Sequence, residues 1–164
     1  LGTGSGAIAL ALASERPRWR VRGLDASEAA LDVARANAQR CGLPWVSFLQ
    51  SDWFARLEQG ARFDLLVSNP PYVDPADPHL ERGDLRFEPR SALAARDQGL
   101  ADLRAIIQAA PQFLQRGGWL LLEHGCRQGA RVRDLLHAAG FARVATRQDL
   151  AGLDRVSGGR WHAD

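Results

Sequence analysis

The stretch Ser68-Asn69-Pro70-Pro71-Tyr72 contains the residue types best suited to chemistry. Each proline has a fixed φ angle and no N–H group, and each favours an extended conformation in the residue before it. The side-chain oxygen of Asn69 and the carbonyl of Pro70 are therefore acceptors on a stiff segment, with the ring of Tyr72 beside them. Two fixed acceptors next to a ring suit a planar –NH2 group, in an amide or a nucleobase. Taken alone, the stretch also fits an ordinary turn. We call residues 69–72 the ledge.

The chain begins with a glycine-rich turn, Gly2-Thr3-Gly4-Ser5-Gly6. The pattern that follows predicts a helix over residues 7–15 with Ile8, Ala11 and Leu12 on one face. Glycines let a ligand approach the backbone closely, and N–H groups at a helix start favour polar or anionic groups. The same pattern occurs in NAD-binding folds, in S-adenosylmethionine-binding folds and in ordinary turns. Because a turn of this type needs a strand before it, we expect the chain to be a fragment that lacks its first strand.

Asp25 follows the strand predicted over residues 19–24 and lies 19 positions after Gly6. A carboxylate about 20 residues after such a turn accepts hydrogen bonds from ribose hydroxyls. The alternative is that Asp25 caps the following helix, for which Ser27 is at least as good a candidate. The position of Asp25 favours the ribose role.

Asp52-Trp53 follows the strand predicted over residues 45–49. An acidic residue and an aromatic residue at a strand end can hold an adenine, since the carboxylate accepts from the amino group and the ring packs on the base. The alternative, equally weighted, is that Trp53 and Phe54 cover the edge of the core.

Apolar periodicity predicts strands and helices in alternation, ending with two strands. This order indicates a single α/β domain over residues 1–164, with a mostly parallel sheet and a closing antiparallel strand. All four motifs follow predicted strand ends, where α/β sheets bind their ligands, so we expect one common site. The remaining helices are predicted over residues 27–40, 100–115 and 128–139, and the remaining strands over 63–67, 119–123, 141–146 and 153–161.

Composition narrows the class of protein. The 164 residues are 46% hydrophobic, enough for a globular core, and carry a net charge of +2. All 21 basic residues are arginines and they are scattered, so we expect no direct nucleic-acid binding. Cys41 and Cys126 lack metal-ligand spacing, which predicts no metal site and a reduced, cytoplasmic location. No apolar run is long enough for a membrane span.

Residues 73–99 show no clear periodicity and are rich in Asp, Pro, Arg and Gly. A connection this long within a compact domain is usually functional or disordered. Its composition, with aromatic and paired charged residues, predicts a lid over a substrate.

Together, Leu-Gly-Thr-Gly-Ser-Gly at the start, Ser-Asp-Trp-Phe at 51–54 and Ser-Asn-Pro-Pro-Tyr-Val-Asp at 68–74 resemble class I S-adenosylmethionine-dependent methyltransferases that modify a planar nitrogen. Asp77-Pro78-His79-Leu80, the stretch 83–89 and Leu121-Leu122-Glu123-His124-Gly125 narrow the resemblance. They are similar to the PrmC/HemK family of peptide chain release factor glutamine methyltransferases. That resemblance implies a Rossmann-like fold and methyl transfer to a glutamine amide in the GGQ loop of class I release factors.

The resemblance also implies roles for single residues. Asn69 and Pro70 would be catalytic, and would bind the substrate together with Pro71 and Tyr72. The cofactor, S-adenosylmethionine, would be held by Gly2, Thr3, Gly4, Ser5, Gly6, Asp25, Asp52, Trp53 and Asn69. Members of the family usually carry an N-terminal helical domain that engages the release factor, and no such segment precedes Leu1 in this sequence.

Four other functions remain as alternatives. A related enzyme methylates a glutamine of a ribosomal protein, although the segment 77–89 argues against it. Adenine-amino nucleic-acid methyltransferases share Asn-Pro-Pro-Tyr, but the scattered arginines argue against them. An NAD-dependent dehydrogenase would explain the glycine turn and Asp25, but it would leave the ledge unexplained. A non-enzymatic binding module fits poorly with an intact ledge.

Overall fold

The computed structural model describes residues 1–72 and 96–162. Two compact units divide the chain, an N-terminal unit over Leu1–Gln59 and a C-terminal unit over Gly60–Asp164.

The N-terminal unit alternates helices and strands in the predicted order. β1 and β2 pair in parallel, with Arg22 opposite Ser47 and Asp25 opposite Gln50. The elements are α1 (Ala7–Glu15), β1 (Arg22–Asp25), α2 (Glu28–Arg40) and β2 (Ser47–Gln50). A cluster of small and branched apolar side chains forms the core, namely Ala9, Leu10, Ala13, Ala38, Leu43 and Val46.

Helix α1 has the predicted bounds but a different buried face. Ala9, Leu10 and Ala13 are buried. Of the predicted face, Ile8 is 42% exposed, Ala11 is exposed and Leu12 is half-buried. The prediction of the face was wrong because Ala, Ile and Leu occur all around this helix. Its sequence, AIALALASE, has no polar residue before its last two positions to mark the solvent side.

The C-terminal unit contains a four-stranded sheet in the order β3-β4-β6-β5. β3 pairs with β4 in parallel, whereas β6 is antiparallel to both of its neighbours, β4 and β5. The three other strands therefore run in one direction and β6 is the reversed strand, as predicted. The elements are β3 (Phe63–Ser68), α3 (Arg96–Gly99), α4 (Ala101–Ala109), a 3₁₀ turn (Ala110–Gln112), β4 (Leu114–Glu123), α5 (Gly129–Ala138), β5 (Phe141–Gln148) and β6 (Asp154–Trp161).

The helix predicted over residues 100–115 is shorter in the structure. Helix α4 ends at Ala109, Pro111 lies in the 3₁₀ turn, and Leu114 already belongs to β4. A proline in a helix interior removes one hydrogen bond and clashes with the preceding turn. Leu114 lay at a helical spacing in the sequence, but it is buried as the first residue of a strand.

The predicted lid over residues 73–99 lies mostly outside the described residues. Its last four residues, Arg96–Gly99, form α3 and are not part of an irregular loop. In the two described stretches of the chain, no helix has the length and apolar character needed to cross a membrane.

We expect Leu120→Ala to lower the free energy of unfolding by about 2–5 kcal/mol, because Leu120 is 0% exposed on β4 and its truncation leaves a cavity. Leu150→Ala is the matched control. Leu150 is fully exposed between β5 and β6, so its loss should change stability by less than about 0.5 kcal/mol. Urea unfolding measures both values, and equal losses would contradict the assigned core.

Candidate active site

The glycine-rich turn of the N-terminal unit is a tight loop that leads directly into α1 and lies against the end of β1. Its backbone is bound to β1 through the Thr3 N–H, which donates to the Leu24 carbonyl at 2.8 Å. Gly2, Gly4 and Gly6 have φ angles of 60°, 53° and 84°. These lie in the left-handed region that only glycine adopts at little cost. The sequence pattern therefore reflects a backbone requirement at all three positions.

Helix α2 holds the other side of this loop. A Cβ atom on Gly6 would lie 3.1 Å from the Cβ of Ala34, so glycine here lets the two helices approach closely. The side-chain amide of Asn37 donates to the Ser5 carbonyl at 3.0 Å. The loop is thus fixed by α2 as well as by β1.

Asp25 is bound to the glycine loop. Its Oδ2 accepts a hydrogen bond from the Gly4 N–H at 2.8 Å, and its Oδ1 accepts from the Ser27 N–H at 2.9 Å. The cap of α2 is Ser27, whose Oγ accepts from the Ala30 N–H at 3.3 Å. An ionised carboxylate has about four acceptor positions. Two of them remain for further donors once the two backbone N–H groups are satisfied.

Trp53 and Phe54 have different environments. The Trp53 ring packs against Gly2, where an added Cβ would lie 3.4 Å from the ring, and Trp53 itself has a φ of 44°. Phe54 is buried at 7% exposure and covers the core. Asp52 is exposed, and its carbonyl accepts from the Ala55 N–H at 2.9 Å. The structure therefore brings Trp53 and Asp25 to the same loop, while the Asp52 carboxylate faces solvent.

The ledge follows β3 in the C-terminal unit. Pro70 is fully buried, Asn69 is exposed, and Pro71 and Tyr72 are half-buried. The pairing of β3 with β4 ends at Ser68. The Asn69 side chain is thus accessible to a substrate while the backbone beside it is packed into the protein.

Tyr72 is bound at two points, to the last residue of β4 and to the segment that follows β4. Its hydroxyl donates to Glu123 Oε1 at 3.2 Å, and its carbonyl accepts from Gln128 Nε2 at 3.0 Å. Burial, followed by the charge of Glu123, raises the pKa of the Tyr72 phenol above its ordinary value. Because β3 and β4 are parallel, the ledge and residues 123–128 lie at the same edge of their sheet.

A series of hydrogen bonds leads from the half-buried Arg133 to the buried His124 next to this segment. His124 is 0% exposed, and its Nε2 is 2.7 Å from Ser157 Oγ. Ser157 Oγ is 2.7 Å from Thr146 Oγ1, which accepts from the Arg133 guanidinium at 2.7 Å. The other ring nitrogen, Nδ1, is 2.9 Å from the Gly125 carbonyl. Burial lowers the pKa of His124.

The Gly125 end of this series of hydrogen bonds sets its direction. That carbonyl only accepts, so Nε2 of neutral His124 is the ring acceptor and the Ser157 hydroxyl donates to it. Ser157 has no second hydrogen, so the Thr146 hydroxyl donates to Ser157 Oγ. Nδ1 of His124 then carries the ring hydrogen and donates to the Gly125 carbonyl. The neutral form of His124 is the one that satisfies every partner.

Comparisons with known proteins show the family and the fold of the chain. A family model described as a methyltransferase domain matches residues 1–154. The chain belongs to the methyltransferase domain family. Similar proteins include the release factor glutamine methyltransferases of Burkholderia pseudomallei, strain K96243, and Xylella fastidiosa, strain 9a5c. Each is 57% identical over 98% of this chain, and the chain spans 58% of the length of each.

A solved structure shows the fold of this methyltransferase domain. The ribosomal protein L11 methylase of Lactobacillus delbrueckii subsp. bulgaricus superposes with a TM-score of 0.71. The superposition covers 98% of this chain and 68% of the other chain, at 18% identity. The predicted class I fold is therefore confirmed.

Three residues of the methyltransferase domain that contact the ledge or its supporting segment were missed as site residues from sequence. Glu123 and His124 were noticed only within a family motif, and Gln128 only as the predicted start of a helix. Glu123 and His124 have hydrogen-bond partners more than 30 positions away in sequence. Gln128 binds Tyr72, which is equally distant in sequence, and the nearby Gly125 N–H. Their polar character directly after an apolar strand was the available signal.

We expect Glu123→Gln to lower the pKa of Tyr72 towards the ordinary value, because the nearby negative charge opposes phenolate formation. The chain contains one tyrosine, so the near-ultraviolet absorbance of phenolate during an alkaline titration reports this residue alone. Asp134→Asn, an exposed carboxylate on α5, is the matched control and should leave the value unchanged. Circular dichroism checks that the fold persists, and an unchanged pKa in Glu123→Gln would refute the contact.

The stability of the domain should fall as the pH decreases below about 6.5, the ordinary pKa of histidine. In that range the unfolded state binds a proton at His124 that the folded state does not, because burial lowers the folded-state pKa. Urea unfolding between about pH 7.5 and 5.5 measures this slope. His124→Gln should flatten it, and His137→Gln, at an exposed position, should not. An equal slope in both variants would contradict the role of His124.

Proposed function

We propose that this methyltransferase domain transfers a methyl group from S-adenosylmethionine to the side-chain amide nitrogen of the GGQ-loop glutamine in class I peptide chain release factors. The observation that carries the proposal is the ledge, a rigid segment with an exposed Asn69 and a buried Pro70. The printed names of relatives that are 57% identical over 98% of the chain support the choice of substrate.

The cofactor is assigned to the N-terminal unit. The two remaining acceptor positions of Asp25 match the two hydroxyls of a ribose, and the loop of Gly2 to Gly6 offers backbone N–H groups at the start of α1. The contact between Trp53 and Gly2 fits an aromatic wall beside that loop. S-adenosylmethionine would supply a methyl group on a sulfonium, which is electrophilic without further activation. Asp52 remains a proposed contact of the adenine.

The acceptor amide is assigned to the ledge. The side-chain oxygen of Asn69 and the carbonyl of Pro70 would each accept one N–H of the glutamine amide. An amide nitrogen is a poor nucleophile because its lone pair is delocalised into the carbonyl. Two fixed acceptors orient that nitrogen and stabilise positive charge as it develops there, and the proton can then leave to water. Pro71 and Tyr72 would complete the pocket, and Asn69 would also contact the cofactor.

The further assignments follow from this substrate. Release factors act in translation, so we assign the reaction to the cytoplasm, without direct binding to nucleic acid. Residues 1–164 would form the catalytic domain. Because the chain spans 58% of the relatives' length, recognition of the whole release factor is assigned to a longer protein.

The proposal is tested with the full-length gene product that carries this chain and labelled S-adenosylmethionine. The substrates are a release factor and the same factor with its loop glutamine changed to alanine. Label on the first factor alone supports the proposal. Label on a ribosomal protein or on DNA in place of the release factor would overturn the substrate, and no label on any of them would overturn the activity.

We expect Asn69→Ala to reduce turnover roughly 10²- to 10³-fold, the usual cost of removing one preorganised group that stabilises developing charge. Binding of S-adenosylmethionine, measured by calorimetry, should be partly retained, since the remaining proposed cofactor contacts lie in the N-terminal unit. Gln108→Ala, an exposed amide on α4, is the control. Near-normal turnover in Asn69→Ala would refute the role of the ledge.

A further inference from the structure

The ledge has few hydrogen-bonding groups with which to hold its own position. Pro70 and Pro71 have no N–H, and the strand pairing ends at Ser68. The described contacts that fix its far end are made by Tyr72, whose carbonyl is bound by Gln128 and whose hydroxyl is bound by Glu123. The position of the ledge therefore depends on the segment after β4.

The side-chain amide of Gln128 can adopt only one orientation between its partners. Its Oε1 accepts from the Gly125 N–H at 2.8 Å, and its Nε2 donates to the Tyr72 carbonyl at 3.0 Å. A backbone N–H must donate and a carbonyl must accept, so a rotated amide would lose both hydrogen bonds. Gln128 thus links the turn after β4 directly to the last residue of the ledge.

Gly125, the other partner of Gln128, is itself held firmly. Its carbonyl accepts from the Gln128 N–H at 2.8 Å and from the buried His124 ring at 2.9 Å. The Gln128 side chain is therefore attached to a turn that the hydrogen-bonded chain through Ser157 supports. A rigid support is what a positioning contact requires.

Close packing leaves the Tyr72 carbonyl little freedom. A Cβ atom on Gly99 would collide with this carbonyl and would lie 2.7 Å from Gln128 Nε2. Gly99, with a φ of 78°, therefore lets the end of α3 lie directly against the Tyr72–Gln128 hydrogen bond. Any displacement of the carbonyl towards α3 meets backbone atoms.

We propose that Gln128 is a positioning residue that sets the ledge for the acceptor amide, by fixing the Tyr72 carbonyl to the turn after β4. The inference rests on the proposed function. Gln128 acts through Tyr72, and Asn69 and Pro70 remain the groups that touch the substrate. Loss of the Gln128 contact changes how the ledge presents its acceptors and leaves the cofactor residues of the N-terminal unit unaltered.

Kinetics test the effect on the reaction in the full-length gene product. Gln128→Glu retains an acceptor for the Gly125 N–H but points a second oxygen at the Tyr72 carbonyl, and Gln128→Leu removes both contacts. We expect kcat/KM for a glutamine-containing release factor to fall roughly 10- to 100-fold in both variants, with a higher KM for that factor. The dissociation constant of S-adenosylmethionine should change less than about 2-fold. Gln108→Glu makes the same charge change on an exposed face of α4 and should behave as wild type.

A second measurement does not require activity. The pKa difference at Tyr72 between the wild type and Glu123→Gln measures how closely Glu123 and Tyr72 are held. We expect this difference to shrink when both proteins also carry Gln128→Leu, and to persist when they carry Gln108→Leu. Other tyrosines of the full-length gene product also titrate. Their absorbance is measured in the same proteins carrying Tyr72→Phe and is subtracted.

The outcomes separate the two hypotheses. A wild type that methylates no glutamine refutes the proposed function, whereas the Tyr72 titration still reports whether Gln128 fixes the ledge. An unchanged Glu123 effect in the Gln128→Leu background, or a normal KM for the release factor in both variants, overturns the role of Gln128. Equal weakening of cofactor and substrate binding would also overturn it, since a general loss of structure would then explain the result.

Discussion

The absence of backbone donors in Pro70 and Pro71 is the constraint on which the rest of the C-terminal unit depends. Strand β3 pairs with β4 as far as Ser68, and after that point the sheet ladder cannot continue through two residues that lack N–H groups. The chain must then be held through its acceptors and side chains. Tyr72 supplies both a carbonyl and a hydroxyl, and their partners are Glu123 at the end of β4 and Gln128 in the segment after it.

The N-terminal unit meets a similar problem with different residues. Its glycine-rich loop has left-handed backbone angles that favour neither helix nor strand, so the loop also needs contacts from outside. Asp25 binds the Gly4 N–H and Asn37 binds the Ser5 carbonyl. In both units, a segment that is unable to form regular secondary structure is fixed by polar side chains from neighbouring elements. Such segments remain open to ligands while keeping a defined shape.

The sequence predicted local features well and long-range contacts poorly. The bounds of α1 and the start of the ledge followed from glycine, proline and apolar runs, which act within a few residues. The buried face of α1 did not follow, because an Ala- and Leu-rich helix marks no solvent side. Leu114 was assigned to a helix because its spacing suited one, although the backbone is already interrupted at Pro111.

Among the site residues, too, local features were predicted from the sequence and long-range contacts were not. Asn69 and Asp25 were predicted from position relative to strand ends, and the hydrogen bond from Gly4 to Asp25 spans 21 residues within one predicted βαβ unit. The role of Gln128 depends on a partner 56 residues away in sequence, Tyr72, and no local pattern carries that information. Whether the ledge and the glycine loop share one site, as their places after strand ends predict, stays a prediction.

The hydrogen bonds that link Arg133 to His124 explain why His124 and Ser157 are tolerated in buried positions next to the segment that holds the ledge. A buried polar group costs free energy unless it is hydrogen-bonded, and no buried side-chain nitrogen or oxygen in residues 1–72 and 96–162 lacks a partner. Each hydroxyl in the chain both donates and accepts, so removing one member would leave its neighbours unsatisfied. A network of this kind has a single low-energy arrangement. Through the His124 ring it holds Gly125, and through Gly125 the turn that carries Gln128.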